Sequence, residues 1–183
     1  MSGASQVLAE VALAAGDFPE ARRLTRNCLG EDEGSRPCRL LLADVERPAG
    51  DLQAAWEVLE RLRRLEAENE KAPLTNEDFL RGDVLARMGR EAEAEKAFLQ
   101  ESRSFPENPR GWTGLALLHG SQGRPREADR VLEEMVARSP RPASYFAAAR
   151  TYEILGDRFA ALGIRRKAGA LFPGARDTGL PSR

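Results

Sequence analysis

The residues of this chain that could take part in chemistry are few and far apart. There are two cysteines, Cys28 and Cys38, and one histidine, His119. A zinc site needs about four such ligands close together, so we expect no metal and no cofactor. The cysteines flank a loop-like stretch, residues 31–37, but no framework of paired cysteines supports a disulfide. We expect two reduced thiols, with Cys28 packed in a helix interface and a disulfide as the alternative.

No arrangement typical of catalysis surrounds His119. No serine or cysteine nucleophile lies beside it in a recognisable motif, and we expect this histidine to pack on a buried helix face. Residues 123–125 form a turn that lacks the glycine pattern of a phosphate-binding loop. Glu133 and Glu134 are adjacent on a helix, where neighbouring side chains diverge by about 100°. The sequence therefore predicts that the protein is not an enzyme.

The composition predicts a helical protein without a charge bias towards nucleic acid or lipid. Hydrophobic residues make up 42% and charged residues 31% of the chain, values that suit a folded domain. Ala, Leu, Glu and Arg are plentiful, which favours helices over strands. The formal net charge is -1, and no apolar run reaches the roughly 20 residues of a membrane helix. We therefore expect neither nucleic acid nor a membrane as partner.

Five glycines divide the chain into repeats of similar length. These glycines are Gly16, Gly50, Gly89, Gly123 and Gly156, with spacings of 34, 39, 34 and 33 residues. Five residues after them stand Ala21, Ala55, Ala94, Ala128 and Ala161, and seven residues before them stand Ala9, Ala43, Gly82, Ala116 and Ala149. Two helices approach closely only where side chains are small. Each glycine is therefore predicted to join two helices that touch at these small residues.

The predicted helix pairs fill almost the whole chain. They span residues 2–33, 36–70, 75–106, 109–140 and 142–173. In the second repeat, the first helix is expected to stop near Arg47 because Pro48 cannot continue it. The extra residues of that repeat predict a lengthened second helix and a polar linker that ends at Pro73. Residues 174–183, rich in Gly, Pro and polar side chains, are predicted to form a poorly ordered tail.

The fourth and fifth repeats share a recognisable set of residues. The set is Trp112, Leu115, Ala116, Gly123, Ala128 and Pro140 in the fourth, and Tyr145, Ala149, Tyr152, Gly156, Ala161 and Pro173 in the fifth. It resembles the tetratricopeptide repeat, a helix–turn–helix unit of about 34 residues. The third repeat departs at its start, where Asp78 fills the tryptophan position, and the first two lack the closing proline. The resemblance covers residues 2–173 and implies an all-α fold, a single right-handed α-solenoid of about five antiparallel helix pairs.

The resemblance also implies that the first helices of the repeats line a concave groove. The residues ten and six before each turn glycine should point into it. They are Gln6 and Glu10, Leu40 and Asp44, Phe79 and Asp83, Thr113 and Leu117, and Phe146 and Arg150, with Arg87 and Arg110 nearby. We expect a protein or peptide partner held by Phe79, Leu117 and Phe146. Glu10, Asp44 and Asp83 would favour a basic segment and Arg150 an acidic one; the alternative is that all are ordinary solvated side chains.

Three functions remain open, with a non-catalytic scaffold for protein–protein interaction as the leading hypothesis. The second is a regulatory or assembly domain of a larger enzyme. The third is self-association through the terminal repeats, because Leu162, Ile164 and Leu171 would lack a covering neighbour. We favour a fragment of a longer protein over a second copy as the explanation for that open end. The absence of a signal-peptide pattern favours a cytoplasmic location, and the Ala- and Arg-rich composition favours a bacterial source.

Overall fold

The regular secondary structure of the described residues is entirely α-helical. A computed structural model describes residues 2–48 and 50–177, and all regular elements in these two ranges are α-helices. In chain order they are α1 (Ser2–Ala14), α2 (Phe18–Glu31), α3 (Arg36–Glu46), α4 (Leu52–Glu68), α5 (Glu77–Arg87), α6 (Glu91–Ser104), α7 (Pro109–Ser121), α8 (Pro125–Arg138), α9 (Pro142–Ile154) and α10 (Arg158–Leu171). Five consecutive helix pairs confirm the predicted all-α repeat fold. No helix among the described residues is long and apolar enough to cross a membrane.

The chain divides into two compact units at Gly89. The N-terminal unit contains α1 to α5, and each of these helices packs on the next. The C-terminal unit contains α6 to α10, again with each helix packed on the next. First helices of neighbouring repeats also meet, α1 with α3 and α3 with α5 in one unit, and α7 with α9 in the other. The single domain expected over residues 2–173 stays a prediction.

The small residues predicted at the helix contacts are all buried. The five alanines that follow the turn glycines are 2% exposed or less, and the five small residues that precede these glycines are buried as well. Larger side chains fill the remaining space within each unit. Leu59, Leu80 and Val84 pack together in the N-terminal unit, and Trp112, Leu132, Met135 and Tyr152 pack together in the C-terminal unit.

The helix ends follow from local chemistry. Asp17, Asp51 and Asp157 each accept a hydrogen bond from the backbone N–H three residues on, which satisfies a free donor at the start of α2, α4 and α10. Helix α3 ends at Glu46, just before Arg47 and Pro48, and α4 extends to 17 residues, as predicted. Gly123 has a φ of 69°, a left-handed conformation in which a side chain would be strained.

The two cysteines are bonded to each other, so the prediction of two reduced thiols is wrong. Cys28 in α2 and Cys38 in α3 form a disulfide with Cα atoms 6.2 Å apart, and both are 0% exposed. The short connection at residues 32–35 turns the chain so that the end of α2 meets the start of α3. This proximity depends on how the two helices pack, which the cysteine spacing alone did not reveal.

The segment after α10 begins with an ordered contact. Phe172 packs edge-on against Tyr145, with ring centroids 5.5 Å apart. The Asp177 carboxylate binds Arg150 at 2.6 Å and Arg165 at 2.9 Å. Asp177 of the predicted tail is thus paired with two arginines; the poorly ordered tail stays a prediction, and residues 178–183 lie outside the described residues.

Gly114 lies where α7 crosses α6, and we expect Gly114→Ala to lower the free energy of unfolding by about 1–3 kcal/mol. A Cβ atom there would lie 2.5 Å from Cε1 of Phe98, so the ring would have to move. Urea denaturation measures the change. The control is Gly163→Ala, because Gly163 is helical and faces open space, and it should gain up to about 1 kcal/mol of helix propensity. Equal midpoints for both variants would contradict the prediction.

Candidate functional site

The predicted groove positions lie on an accessible face of each first helix. The residues ten and six before every turn glycine are partly or fully exposed in all five repeats, whereas the residue seven before is buried in all five. Residues four apart on a helix share a face, so each predicted pair lies together. The pairs are Gln6 and Glu10 on α1, Leu40 and Asp44 on α3, Phe79 and Asp83 on α5, Thr113 and Leu117 on α7, and Phe146 and Arg150 on α9.

Arg47, which sequence reasoning missed, contacts three of the predicted residues in the N-terminal unit, and one of these three binds a fourth. Its guanidinium donates to Asp44 at 2.9 Å and to Asp83 at 3.2 Å. Its Cζ atom lies 6.0 Å from the centroid of the Phe79 ring, within cation–π range. Asp83 also accepts from Arg87 Nε at 2.9 Å. We call these five residues the Arg47 cluster.

The Arg47 cluster is electrically balanced. Burial disfavours the charge of Arg47, but the Asp44 and Asp83 carboxylates outweigh this and raise its pKa above the usual value. The two carboxylates face two guanidiniums, those of Arg47 and Arg87. A basic segment bound here would therefore compete with cations of the chain itself. The sequence did hold one signal for Arg47, since an arginine three residues after an aspartate on a helix lies within reach of it.

The Arg47 cluster borders an apolar core. Leu40 and Phe79 are partly buried and pack against the core that contains Leu59, Leu80 and Val84. Phe79 therefore packs against the core while part of its side chain stays accessible.

On α1, the predicted pair is joined by a hydrogen bond from Gln6 Nε2 to Glu10 Oε1 at 2.9 Å.

In the C-terminal unit, the predicted residues lie on two adjacent helices, α7 and α9. The Thr113 hydroxyl donates to the backbone oxygen of Arg110 at 3.1 Å, one turn earlier. Arg150 donates to Asp177 at 2.6 Å, so a carboxylate of the chain itself meets its charge. Leu117 and Phe146 are partly exposed apolar side chains. This unit thus presents two apolar side chains and one arginine that is already paired.

His119 lies on the inner side of α7 and is 5% exposed, which confirms the buried face expected for it. Burial first, and then the nearby charge of Arg124, lower its pKa. Both effects favour the neutral form of the imidazole. Within the described ranges, no group of three or more His, Cys, Asp or Glu side chains is arranged to hold a metal ion.

A group of buried carboxylates between α4 and α5 was also missed by sequence reasoning. Glu66, Glu77 and Asp78 are 4%, 0% and 3% exposed. Arg36 binds the Glu66 carboxylate, and Arg63 binds Asp78 at 2.9 Å. These residues border the insertion that lengthens the second repeat. The longer spacing between Gly50 and Gly89 indicated where the insertion lies. It did not indicate that these three carboxylates are buried.

Two stretches of the chain, residues 7–27 and 109–134, match the family model of the tetratricopeptide repeat. The structure is similar to the crystal structure of TTC0263, a thermophilic tetratricopeptide-repeat protein of Thermus thermophilus, with a TM-score of 0.72 and 19% identity over 95% of this chain and 93% of that one. The fold is that of a tetratricopeptide-repeat protein.

Further tetratricopeptide-repeat structures agree with this fold. A crystal structure of MamA has a TM-score of 0.58 and 20% identity over 87% of this chain and 91% of that one. YrrB, described as a tetratricopeptide-repeat protein with an unusual peptide-binding site, has a TM-score of 0.55 and 15% identity over 93% of this chain and 86% of that one. None of the curated proteins matches the chain in sequence.

Proposed function

We propose that this tetratricopeptide-repeat chain is a non-catalytic scaffold that binds a segment of a partner protein on the accessible faces of its first helices. One observation carries the proposal. The residues ten and six before each turn glycine stay accessible in all five repeats, although a position between them is buried in all five. The repeat thus presents the same helix face to solvent along each unit, and it places phenylalanine or leucine there in every repeat but the first.

Apolar anchors contribute most to such a contact. Buried aromatic side chains are the commonest hot spots of protein interfaces, and isolated surface charges add little. Phe79 in the N-terminal unit and Leu117 and Phe146 in the C-terminal unit are the anchors. The charged residues around them are paired within the chain, so we infer that they orient the partner segment rather than attract it from a distance.

Peptide selection tests this function. A random peptide library is selected against the full chain, and the affinity of each selected peptide is measured by fluorescence polarisation. Phe79→Ala and Phe146→Ala are tested separately, because each unit has its own anchor. For a peptide bound at its anchor, each substitution should weaken binding by about tenfold or more.

The matched control is Phe159→Ala in α10. Phe159 is 91% exposed and stands three residues after Gly156, a position that is exposed in all five repeats. Its removal should leave the affinity unchanged, and circular dichroism confirms that each variant is folded. The proposal fails if no peptide is enriched, or if Phe159→Ala weakens binding as much as the groove variants do.

A further inference from the structure

Two positions of the fifth repeat carry an arginine where the other repeats have no cation. Six residues before the turn glycine, repeats 1 to 4 have Glu10, Asp44, Asp83 and Leu117, whereas repeat 5 has Arg150 on α9. Nine residues after this glycine, repeats 1 to 4 have the buried side chains Thr25, Leu59, Phe98 and Leu132, whereas repeat 5 has Arg165 on α10. The fold brings these two guanidiniums together at one carboxylate, that of Asp177.

The Asp177 carboxylate is held as a bound anion would be. Its Oδ1 atom accepts from Arg150 at 2.6 Å and its Oδ2 atom from Arg165 at 2.9 Å, so each oxygen meets one guanidinium. Guanidinium groups recognise carboxylates by geometry as well as by charge. Arg165 also binds Glu153 at 3.0 Å, which fixes its position. We call Arg150 and Arg165 the two-arginine site, and a carboxylate of the chain itself occupies it.

The segment that carries Asp177 is attached at its two ends. At the first end, Phe172 packs edge-on against Tyr145, and the backbone N–H of Ala175 donates to the Phe172 oxygen at 3.1 Å. At the other end is the Asp177 carboxylate. Residues 173–177 are all exposed. Release of Asp177 therefore breaks its ion pairs without removing any buried side chain of residues 173–177.

The two-arginine site is open enough for its carboxylate to be exchanged. The side chains of Arg150, Arg165 and Asp177 are 29%, 33% and 25% exposed. Ion pairs that solvent reaches contribute little net stability, whereas fully buried pairs are costly to break. Without Asp177, two guanidiniums would face the single carboxylate of Glu153. This surplus of positive charge favours another anion in place of Asp177.

The two-arginine site adjoins the apolar anchor of the C-terminal unit. Phe146 lies four residues before Arg150 on α9, and residues four apart share a helix face. Both side chains are partly exposed. A segment bound over Phe146 would therefore bring its neighbouring side chains within reach of Arg150. Asp177 occupies the position that one of these side chains would take.

We propose that Asp177 is an internal competitor of the groove, which occupies the two-arginine site until an aspartate or glutamate side chain of the partner segment replaces it. The proposal rests on the groove function and adds the chemistry of the partner: an acidic side chain beside the apolar side chain that contacts Phe146. Asp177 then lowers the affinity for acidic segments in proportion to the time for which it fills the site. A segment without an acidic residue is unaffected by it.

Peptide selection on the open site supplies the probes for the test. A random peptide library is selected against the full chain with Asp177→Asn, a substitution that keeps the shape of the side chain and removes its charge. The selected peptides are synthesised with amidated C-termini, so that a terminal carboxylate cannot replace an acidic side chain. Their affinities for the wild type and for each variant are measured by fluorescence polarisation. Circular dichroism confirms that every variant is folded.

Acidic peptides should bind Asp177→Asn about five- to tenfold more tightly than the wild type, as expected if Asp177 leaves the site free for only about a tenth to a fifth of the time. The matched control is Glu134→Gln, which changes the net charge equally and frees Arg138, its partner at 2.7 Å on the surface of α8. It should leave the affinity at the wild-type value. Adding Arg150→Gln to Asp177→Asn should abolish the gain, as should replacing the acidic residues of the peptide by their amides.

Two results would overturn the competitor and leave the groove function intact. One is that the selected peptides bind the groove but contain no acidic residue, and the other is that acidic peptides bind the wild type and Asp177→Asn equally well. A gain of the same size in Glu134→Gln would also overturn the competitor, because net charge alone would then explain it. If no peptide is enriched on Asp177→Asn or on the wild type, the groove function fails and the competitor fails with it.

Discussion

At pH 8, Glu77→Gln is expected to be more stable than the wild type by about 3 kcal/mol, whereas at pH 5 the difference should shrink to less than about 1 kcal/mol. Glu77 is 0% exposed at the start of α5. Its Oε2 atom accepts from the backbone N–H of Leu74 at 3.2 Å, but its Oε1 atom meets no donor among the described residues. Burial first, and then the adjacent Glu66 carboxyl, raise the pKa of Glu77 to about 7.

The direction of the pH effect follows from proton binding. In the unfolded chain Glu77 loses its proton near pH 4.5, and in the folded chain it does so near pH 7. Between these values the folded state holds the proton and the unfolded state does not. The contribution of Glu77 to stability therefore falls as the pH rises through this window, by about 1.4 kcal/mol per pH unit, and is constant above it. Glutamine does not titrate, so the variant loses this dependence.

Glutamine suits the site for a second reason. Its amide oxygen can still accept from Leu74, and its amide N–H can donate to the adjacent Glu66 carboxylate, as a protonated Glu77 would. Glu66 keeps its pairing with Arg36, and Asp78 keeps its pairing with Arg63. The variant therefore removes one buried ionisable group while the surrounding ion pairs remain.

Urea denaturation at pH 5, 6, 7 and 8 measures the effect as the difference between Glu77→Gln and the wild type at each pH. This difference cancels the groups that titrate in both proteins. The control is Glu70→Gln, an exposed substitution in the linker that precedes α5, which tests whether the loss of a negative charge is itself sufficient. Parallel profiles for Glu77→Gln and the wild type would show that Glu77 is ionised in the folded protein at neutral pH.

The fold was predictable because each repeat restricts the residue type at single, regularly spaced positions. A second helix can approach the first only if Ala21 and its four equivalents stay small, and the turn at Gly123 and its equivalents needs a left-handed residue. These constraints act on one residue at a time and recur at a fixed spacing. The end of α3 at Glu46 was predictable for the same kind of reason, since Pro48 removes a backbone donor.

The candidate site was predictable only in part. The repeat register selects the helix face on which Phe79, Asp83 and Phe146 lie, but it does not show what their neighbours do. Arg47 reaches Asp83 from another helix, and Asp177 reaches Arg150 from the segment after α10. Such pairings depend on the packing of elements that are distant in sequence. Arg47 and Asp177 therefore change the charge pattern expected along the groove, and the spacing of residues in the sequence did not identify either of them.

The exposure of apolar side chains on α1 and α10 could also be predicted only in part. Leu162, Ile164 and Leu171 were expected to lack a cover, and the structure leaves Leu162 and Leu171 60% and 58% exposed. Val7 and Val11 on α1 are exposed to a similar extent, 57% and 61%. Val11 in α1 is no more apolar than Val45 or Val84 in the later repeats, so residue type does not indicate that only Val11 is exposed. The difference arises from the neighbouring helices, since Val45 packs against α1 and α2 and Val84 packs against α3.

Replacing both cysteines by alanine is expected to lower the free energy of unfolding by about 2–3 kcal/mol. The Cys28–Cys38 bond closes a short loop and joins α2 to α3, and both cysteines are fully buried. A cross-link reduces the conformational freedom of the unfolded chain, and its loss favours unfolding. Urea denaturation of the Cys28→Ala, Cys38→Ala variant measures the change. The wild type in the presence of a reducing agent separates the loss of the cross-link from the loss of the sulfur atoms.

The effect should be concentrated in the first repeat. Terminal repeats contact a neighbour on one side only and open more readily than central ones, and the disulfide ties α2 of the first repeat to α3 of the second. In hydrogen exchange, reduction should therefore speed exchange in α1 and α2 well before it does so in α4. Alkylation of the denatured, unreduced chain supplies the decisive check. A chain that takes up two alkyl groups has no disulfide, and a disulfide whose reduction leaves the exchange of α1 and α2 unchanged does not hold the first repeat in place.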